Sequence, residues 1–350
     1  MKKLLKILLY FIASLAGAFL IFLIVATLGN YSPDEKILIS ESENPDLIAG
    51  WTEYDFMIWN IGYCGLDESM DFFYDGGEQV RPSKDKVENS LDKVAQFLSD
   101  NDSIEFLLLQ EVDINSKRSY RINEYEKIEQ TLSGYQSFSG INYNVFFVPL
   151  PPTNPMGKVE SGLQSLSKFT PKNVTRFSFP GNYGWPMGVF MLDRCFLVSR
   201  FVVDNQKELL VINTHNSAYD DGSLRKEQMD YLKDFLLEEY EKGNYVIVGG
   251  DWNQSPNGFK KQIEGHVFDN ENYTEISPAY PSEEWQWAFD EGVPSNRRVT
   301  ASYERGVTPT TVIDFYLLSP NIQTLSVRTI DMDFQNSDHQ PVLLKMLLKE

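Results

Sequence analysis

Only two cysteines, Cys64 and Cys195, and three histidines occur in 350 residues. Two thiols cannot build the disulfide framework that staples small secreted domains, and no clustered Cys/His spacing suits zinc. Both cysteines are expected to be buried and unpaired. Basic residues are scarce as well: 31 lysines and arginines face 50 acidic residues, a net charge of −19. That sign repels polyanions, because nonspecific nucleic-acid binding rests on neutralising phosphates with Lys and Arg. No fixed-period repeat is present, which excludes a solenoid. Apolar matter, by contrast, is ample. With 42% hydrophobic and 13% aromatic residues the chain can bury a large core and is not a disordered polymer.

The longest apolar run lies at the start. Lys2, Lys3 and Lys6 precede Ile7 to Leu28, a run broken only by Tyr10, Ser14, Gly17 and Thr27. A bilayer span needs about 20 such residues, whereas a cleaved signal peptide has an apolar region of roughly 7 to 15 and a small-x-small site. The end of this run, VATLGNYS, has no such site. Residues 1–30 therefore read as a signal anchor, single-pass in the cell membrane, with the lysines in the cytoplasm and the rest on the extracytoplasmic side. A long cleaved signal peptide is the alternative. Taking Lys2, Lys3 and Lys6 from the 31 basic residues leaves 28 against 50 acids, a net of −22 for the exported part. Residues 31–50, polar with Pro33 and Pro45, read as a linker, and 51–350 as one large domain.

Within that domain short apolar runs alternate with helical patterns. EYDFMIWNIGY, ending at Tyr63, is a strand by its aromatic and β-branched content. Ser83 caps a helix with Val87, Leu91, Val94 and Leu98 on one face, and a second helix runs from Leu224 to Lys242, closed by Gly243. IEFLLLQEVD, VFFVPL, RCFLVSRFVV, ELLVINTH, YVIVGGDW, TVIDFYLLS and PVLLKMLLK complete the strands. Neighbours such as 194–203 and 208–214 suggest antiparallel hairpins, and the mixture fits a layered α/β architecture.

Polar residues recur where these strands end. Asn60 ends the first, Glu111 follows FLLLQ, His215 follows VINT, Asp251 and Asn253 follow VIVGG, Asp314 interrupts TVIDFY, and Asp338 and His339 precede the last. Strand-end loops are where a rigid scaffold presents function. Singly, each residue reads as a turn or surface group; Asp314, between Ile313 and Phe315, must be paired or exposed. Jointly, Glu111, Asp251, Asp338 and the amide oxygens of Asn60 and Asn253 are hard ligands of the type that holds Mg²⁺ or Mn²⁺. Histidines beside carboxylates add acid–base groups near neutral pH. A hard cation with His and Asp is the equipment for hydrolysing a phosphate ester.

The ordered set WN at 59–60, QE at 110–111, TH at 214–215, GDWN at 250–253, ID at 313–314 and SDH at 337–339 resembles the endonuclease/exonuclease/phosphatase superfamily. SGLQSLSKF, from Ser161 to Phe169, resembles its central segment. The resemblance covers roughly residues 51–350 and implies a DNase I-like four-layer α/β sandwich of two packed, mainly antiparallel sheets flanked by helices. It implies Glu111 as principal metal ligand with Asn60 beside it and Asp338 as a metal-proximal acid. It further implies that Asp251 activates the attacking water with Asn253 orienting it, that His339 contacts the scissile phosphate with its ring held by Asp314, and that His215 is the second histidine. Mg²⁺ is the implied cofactor, with Mn²⁺ as substitute.

Weaker expectations attach to Arg118, which either reaches a phosphate or is a solvated salt-bridge partner, and to Asn144, which either lines the cleft or serves a turn. His266 has no motif around it and reads as a surface or packing residue. The substrate is left to two aromatic insertions, one around Trp185 and one from Pro281 to Thr311 with Trp285, Trp287 and the Arg297–Arg298 pair. They either stack a base, meet a lipid surface, or simply pack. The charge favours a small or lipid-linked phosphate, with membrane contact through the N-terminal helix and no protein partner. An extracellular DNase I-like endonuclease is the rival reading. An inactive exported binding module is the rival of another class, opposed by the retention of Glu111, Asp251, Asp314 and His339.

Overall fold

The computed structural model describes residues 2–218, 222–271 and 274–349. Met1 and Glu350, the outer limits of the expected anchor and domain, lie outside the described residues. Two sheets carry the fold. A six-stranded sheet runs in the order Ile322–Thr329, Val342–Leu348, Glu53–Asn60, Phe106–Asp113, Gly157–Ser167, Gln136–Val148. An eight-stranded sheet runs Lys36–Glu41, Asn173–Ser178, Cys195–Val203, Glu208–His215, Tyr245–Asp251, Asp314–Leu318, Gln286–Ala288, with Leu47–Ile48 paired to the Cys195–Val203 strand.

Both faces of each sheet are covered, which is why the central strands are continuous apolar runs instead of alternating ones. Phe56, Ile58 and Leu108 of one sheet meet Leu209, Val211, Ile247 and Tyr316 of the other in a common inter-sheet core. The intervening residues Met57, Trp59, Leu107 and Leu109 point the other way, against Val87, Leu91, Val94 and Leu98 of the helix Lys84–Asp100. On the far side, Val246, Val248 and Phe315 lie under Leu232 and Leu236 of the helix Ser223–Glu241. Helix, sheet, sheet and helix are the four expected layers.

Two parallel pairings decide where function falls. Glu53–Asn60 runs parallel to Phe106–Asp113, and Glu208–His215 parallel to Tyr245–Asp251, each pair joined by one of those two helices. Parallel strands deliver their C-terminal ends to one edge, so Asn60, Glu111, His215 and Asp251 collect there. The strands Asp314–Leu318 and Val342–Leu348 run antiparallel to their neighbours, with Asp251 opposite Asp314 and Ile58 opposite Val342. They start at the same edge and bring Asp314 and His339 with them.

Several expectations need correction. Residues 31–50 are not a free linker: Lys36–Glu41 pairs antiparallel with Asn173–Ser178, and Leu47–Ile48 parallel with Val202 and Val203. Their polar composition fits an edge position, where one side of the strand faces water. The first strand stops at Asn60 instead of Tyr63, because Tyr63 and Cys64 take left-handed φ values of 42° and 49°. VFFVPL is only the end of a longer strand, and the strands Asn173–Ser178 and Ile322–Thr329 carry too weak an alternation to stand out. The cysteines are both buried and free, as expected. Among the described residues one helix, Lys2–Leu28, is long and apolar enough to cross a membrane, consistent with a span or signal anchor.

Candidate active site

Backbone geometry first turns the key side chains out of the sheets. Gly250 has φ 149°, and a Cβ there would sit 2.0 Å from the Thr214 carbonyl oxygen, so only glycine lets Asp251 follow at this edge. Glu111 has φ 55° at a register shift between Leu109 and Val112, a bulge that swings its carboxylate into the cleft. Asn253 also has positive φ, 50°. Non-glycine residues in this region cost of order 1–3 kcal/mol each and concentrate at functional sites.

The motifs then clamp one another. The Trp59 indole N–H donates to the His339 carbonyl at 3.0 Å, and Ser337 Oγ donates to the Asn60 carbonyl at 2.8 Å. The His339 N–H donates in turn to Ser337 Oγ at 3.2 Å. WN and SDH, some 280 residues apart, are thereby one unit.

His339 sits at the centre of this unit. Its Nδ1 donates to Asp314 Oδ2 at 2.8 Å, and the Ser295 hydroxyl holds the same oxygen at 2.7 Å. Nε2 lies 3.0 Å from the Asn296 amide nitrogen, which donates to it only while the ring is neutral, and 3.8 Å from Asp251 Oδ2. Burial opposes a charge on the ring, yet the carboxylates of Asp314, Asp338 and Asp251 outweigh it and push the pKa well up. Once protonated, Nε2 becomes a donor facing the cleft. His215 is the opposite case. Its Nε2 lies 3.3 Å from Asp251 Oδ2, and burial, helped by Arg194 and His339, pushes its pKa well down. The site thus holds one neutral and one readily charged imidazole.

Asp251 lies between them. Its Oδ2 accepts from the Asn60 amide at 3.0 Å and its Oδ1 from the Asn253 N–H at 2.9 Å. Burial pushes it up to about 6, with Asp314 adding to the shift and His339 opposing it. That suits a base working near neutrality.

Glu111 and Asp338 also face the cleft. Burial, with the charge of Glu111 added, pushes Asp338 up to about 7 against the pull of His339. The partly exposed Glu111 and the buried Asp338, two hard carboxylates facing one cleft, fit a divalent cation, which would relieve their repulsion. Asn60 fits that role less directly: its oxygen accepts from the Gly62 N–H at 3.0 Å, while its NH₂ spans Glu111 Oε1 and Asp251 Oδ2 at 3.4 and 3.0 Å. It spaces the two carboxylates. Asp251, Asp314 and His339 form a second cluster tight enough for an ion, with ligand atoms within 4.8 Å of one another. There both ring nitrogens are already engaged by Asp314 and Asn296, so this cluster works as a hydrogen-bond chain.

Glu111, His215, Asp251, Asn253, Asn296, Asp338 and His339 line one cleft of about 490 Å³, while Asn60, Asp314 and Ser295 support them without lining it. Asn253 lines it with its amide donating to the Asn216 carbonyl at 2.9 Å. Arg118 is neither solvated nor a surface residue: it is buried, bidentate to Asp113 at 2.9 and 3.1 Å, 3.7 Å above the Tyr63 ring, and still lines the cleft. Asn144 does not line it. It pairs with Glu160 mid-strand, and the cleft takes Asn142 and Tyr143 of the same strand. His266 lies beside Arg305 at 3.3 Å, outside the site. Ser295 and Asn296 went unforeseen, since nothing marks a Ser-Asn dipeptide in a long loop until the fold brings it to Asp314 and His339. Arg194 and Arg225 are further cleft residues without a local signal.

A buried carboxylate–imidazole chain beside two hard carboxylates, at one edge of a two-sheet sandwich, is the kind of equipment that hydrolysis of a phosphate ester requires. The profile of the endonuclease/exonuclease/phosphatase family matches residues 57–339, and the chain belongs to that family. The fold is similar to an endonuclease/exonuclease/phosphatase from Beutenbergia cavernae, with TM-score 0.58 and 16% identity over 85% of this chain and 72% of that one. It is also similar to TDP2 from Caenorhabditis elegans, with TM-score 0.52 and 15% identity over 85% and 75% of the two chains. The human Nocturnin catalytic domain gives TM-score 0.53 and 14% identity over 87% of this chain and 97% of that one. No curated protein matches the sequence.

Proposed function

We propose that this chain is a divalent-metal-dependent phosphoesterase that hydrolyses a small or lipid-linked phosphate ester by attack of a water activated by Asp251. The observation that carries the reading is the position of Asp251, hydrogen-bonded by Asn60 and Asn253 and within 3.3 and 3.8 Å of two imidazoles in opposite protonation tendencies. Glu111 and Asp338 would hold a Mg²⁺ or Mn²⁺ ion, whose chemistry when bound is to offset charge on the phosphoryl oxygens. Asp251 takes the proton of the attacking water as its oxygen bonds to phosphorus and the ester P–O bond breaks, the departing alkoxide taking a proton from solvent. His339, charged and fixed by Asp314, donates from Nε2 to a non-bridging phosphate oxygen as charge develops on it. His215, kept neutral, orients Asp251. A net charge of −19 over the chain supports a small or lipid-linked substrate over duplex DNA.

The test is hydrolysis of bis(p-nitrophenyl) phosphate by the purified chain with Mg²⁺ and then with EDTA, for the natural protein and Asp251→Ala. Metal-dependent turnover lost in the variant is expected. Equal, metal-independent rates would overturn the reading, and nicking of plasmid DNA at physiological salt would move it to the nuclease.

A further inference from the structure

The N-terminal helix and the cleft share a structural element. Helix Lys2–Leu28 is exposed along nearly all its length; only Leu23 and Ala26, in its last two turns, are buried. There Phe22 stacks on Phe190 with centroids 5.7 Å apart and meets Phe147 edge-on at 6.2 Å. The Trp185 indole N–H donates to Thr27 Oγ1 at 3.1 Å. A helix of 27 residues is about 40 Å long, about 10 Å more than the hydrocarbon core of a bilayer. With Lys2, Lys3 and Lys6 at one membrane surface, the last two turns and the aromatic rings around them lie at the other.

The surface around that contact is apolar. Phe146, Leu150, Trp185 and Met187 are 59%, 45%, 66% and 56% exposed, large side chains that gain nothing from water. Tryptophan in particular favours the level of lipid headgroups. This rim is continuous with the cleft. The turn Met187–Phe190 runs directly into Met191 and Leu192, which line it, and the Phe190 carbonyl accepts from the hydroxyl of Tyr143, another lining residue, at 3.2 Å. Phe146 and Phe147 follow Asn142 and Tyr143 on one strand. Phe72, Tyr74 and Met156 extend the apolar lining.

We propose that residues 146–150 and 185–190 form a rim that rests on the lipid bilayer beside the N-terminal helix, so that the cleft receives a phosphate ester still attached to a membrane amphiphile. The inference rests on the phosphoesterase reading for its substrate and on the helix contacts for its surface. The apolar lining takes the first methylenes below the phosphate, while the phosphate itself reaches Asp251 and His339. The acidic surface offers no attraction to anionic lipid, so the contact is apolar and insensitive to salt.

Two measurements on the full chain in phosphatidylcholine nanodiscs test this. An environment-sensitive fluorophore on Met187→Cys is expected to be quenched several-fold more by spin-labelled lipid than one on Lys260→Cys, at a highly exposed position outside the rim; the native cysteines are buried. Equal quenching at the two positions overturns the rim. Secondly, a Trp185→Ser, Met187→Ser double variant is expected to hydrolyse a phosphodiester lipid roughly ten-fold more slowly while its rate on bis(p-nitrophenyl) phosphate is unchanged. An unaltered lipid rate overturns the proposal. Turnover of the soluble diester but not of lipid by the natural chain refutes the lipid substrate and leaves the phosphoesterase reading standing. Turnover of neither removes both, whatever the quenching shows about the surface.

Discussion

Two aromatic insertions flank the cleft, and they do opposite things. In the segment from Pro281 to Thr311, Trp285 is buried against Tyr240, Trp287 packs on Trp252 and Phe315, and Arg297 is inside with its guanidinium donating to the Asp67, Met70 and Ala301 carbonyls. Its tryptophans are ordinary packing, and its middle presents Ser295 and Asn296 to Asp314 and His339. In the segment around Trp185 the same residue types stay in the open, against the N-terminal helix. Composition is alike, yet the tryptophans of one insertion are covered by packing, while Trp185 of the other stays exposed. An aromatic residue takes its role from what packs against it, not from its neighbours in sequence.

The comparison can be broken most severely at the residue the first insertion supports. His339→Ala is expected to lower turnover by roughly 10²–10³-fold while the melting curve is retained, because a positioned donor to charge developing on the phosphate contributes about that much. Full activity in that variant would dissolve the catalytic reading. Next comes the packing itself: Trp285→Ala should destabilise by about 3–5 kcal/mol, measured by urea unfolding. A loss under about 1 kcal/mol would mean that the insertion is not core after all.

Asn296→Ala tests whether the first insertion also serves catalysis. Removing one hydrogen bond of about 1–2 kcal/mol to the ring should cost roughly ten-fold in kcat with the stability nearly unchanged. If KM alone moved, Asn296 would belong to substrate binding. The smallest effect is expected on the other insertion, where Trp185→Ser should alter stability by less than about 0.5 kcal/mol, as for an exposed side chain.

A control away from both insertions is the Arg200–Glu239 pair, bidentate at 2.8 and 3.0 Å. Although burial disfavours its charge, hydrogen bonds from Arg200 and Lys242 hold Glu239 down at about 2, against 4.5 for the free side chain. A folded-state pKa below the unfolded one stabilises the fold above pH 4.5, and this contribution is lost as pH falls toward 2. Glu239→Gln should therefore flatten the acid limb of a pH–stability curve without touching either insertion.

Much of the site was legible because its residues interrupt apolar strands. A carboxylate such as Asp314 between Ile313 and Phe315 has no place in a core unless something pairs with it, and the ordered motifs named the partners. Arg118 is an ion-pair partner as one of its two readings held, but a buried one, and Arg297 is buried too. A cation looks solvated in a sequence until Asp113 or a ring of carbonyls is found beside it. Ser295, Asn296 and the two strands inside residues 31–50 had no local mark at all.

By itself the sequence determined the layer architecture, since apolar periodicity fixes which faces are buried, and the identity of Asn60, Glu111, Asp251, Asp314 and His339, since polar groups at strand ends need a reason. Only the tertiary structure decided that Asn60 spaces two carboxylates, that Asn296 and Ser295 complete the histidine chain, and that the helix Lys2–Leu28 meets the rim of the cleft. Those contacts join residues from 19 to 191 positions apart, and pairing at such separations is set by sheet register and packing, which no short stretch of sequence records.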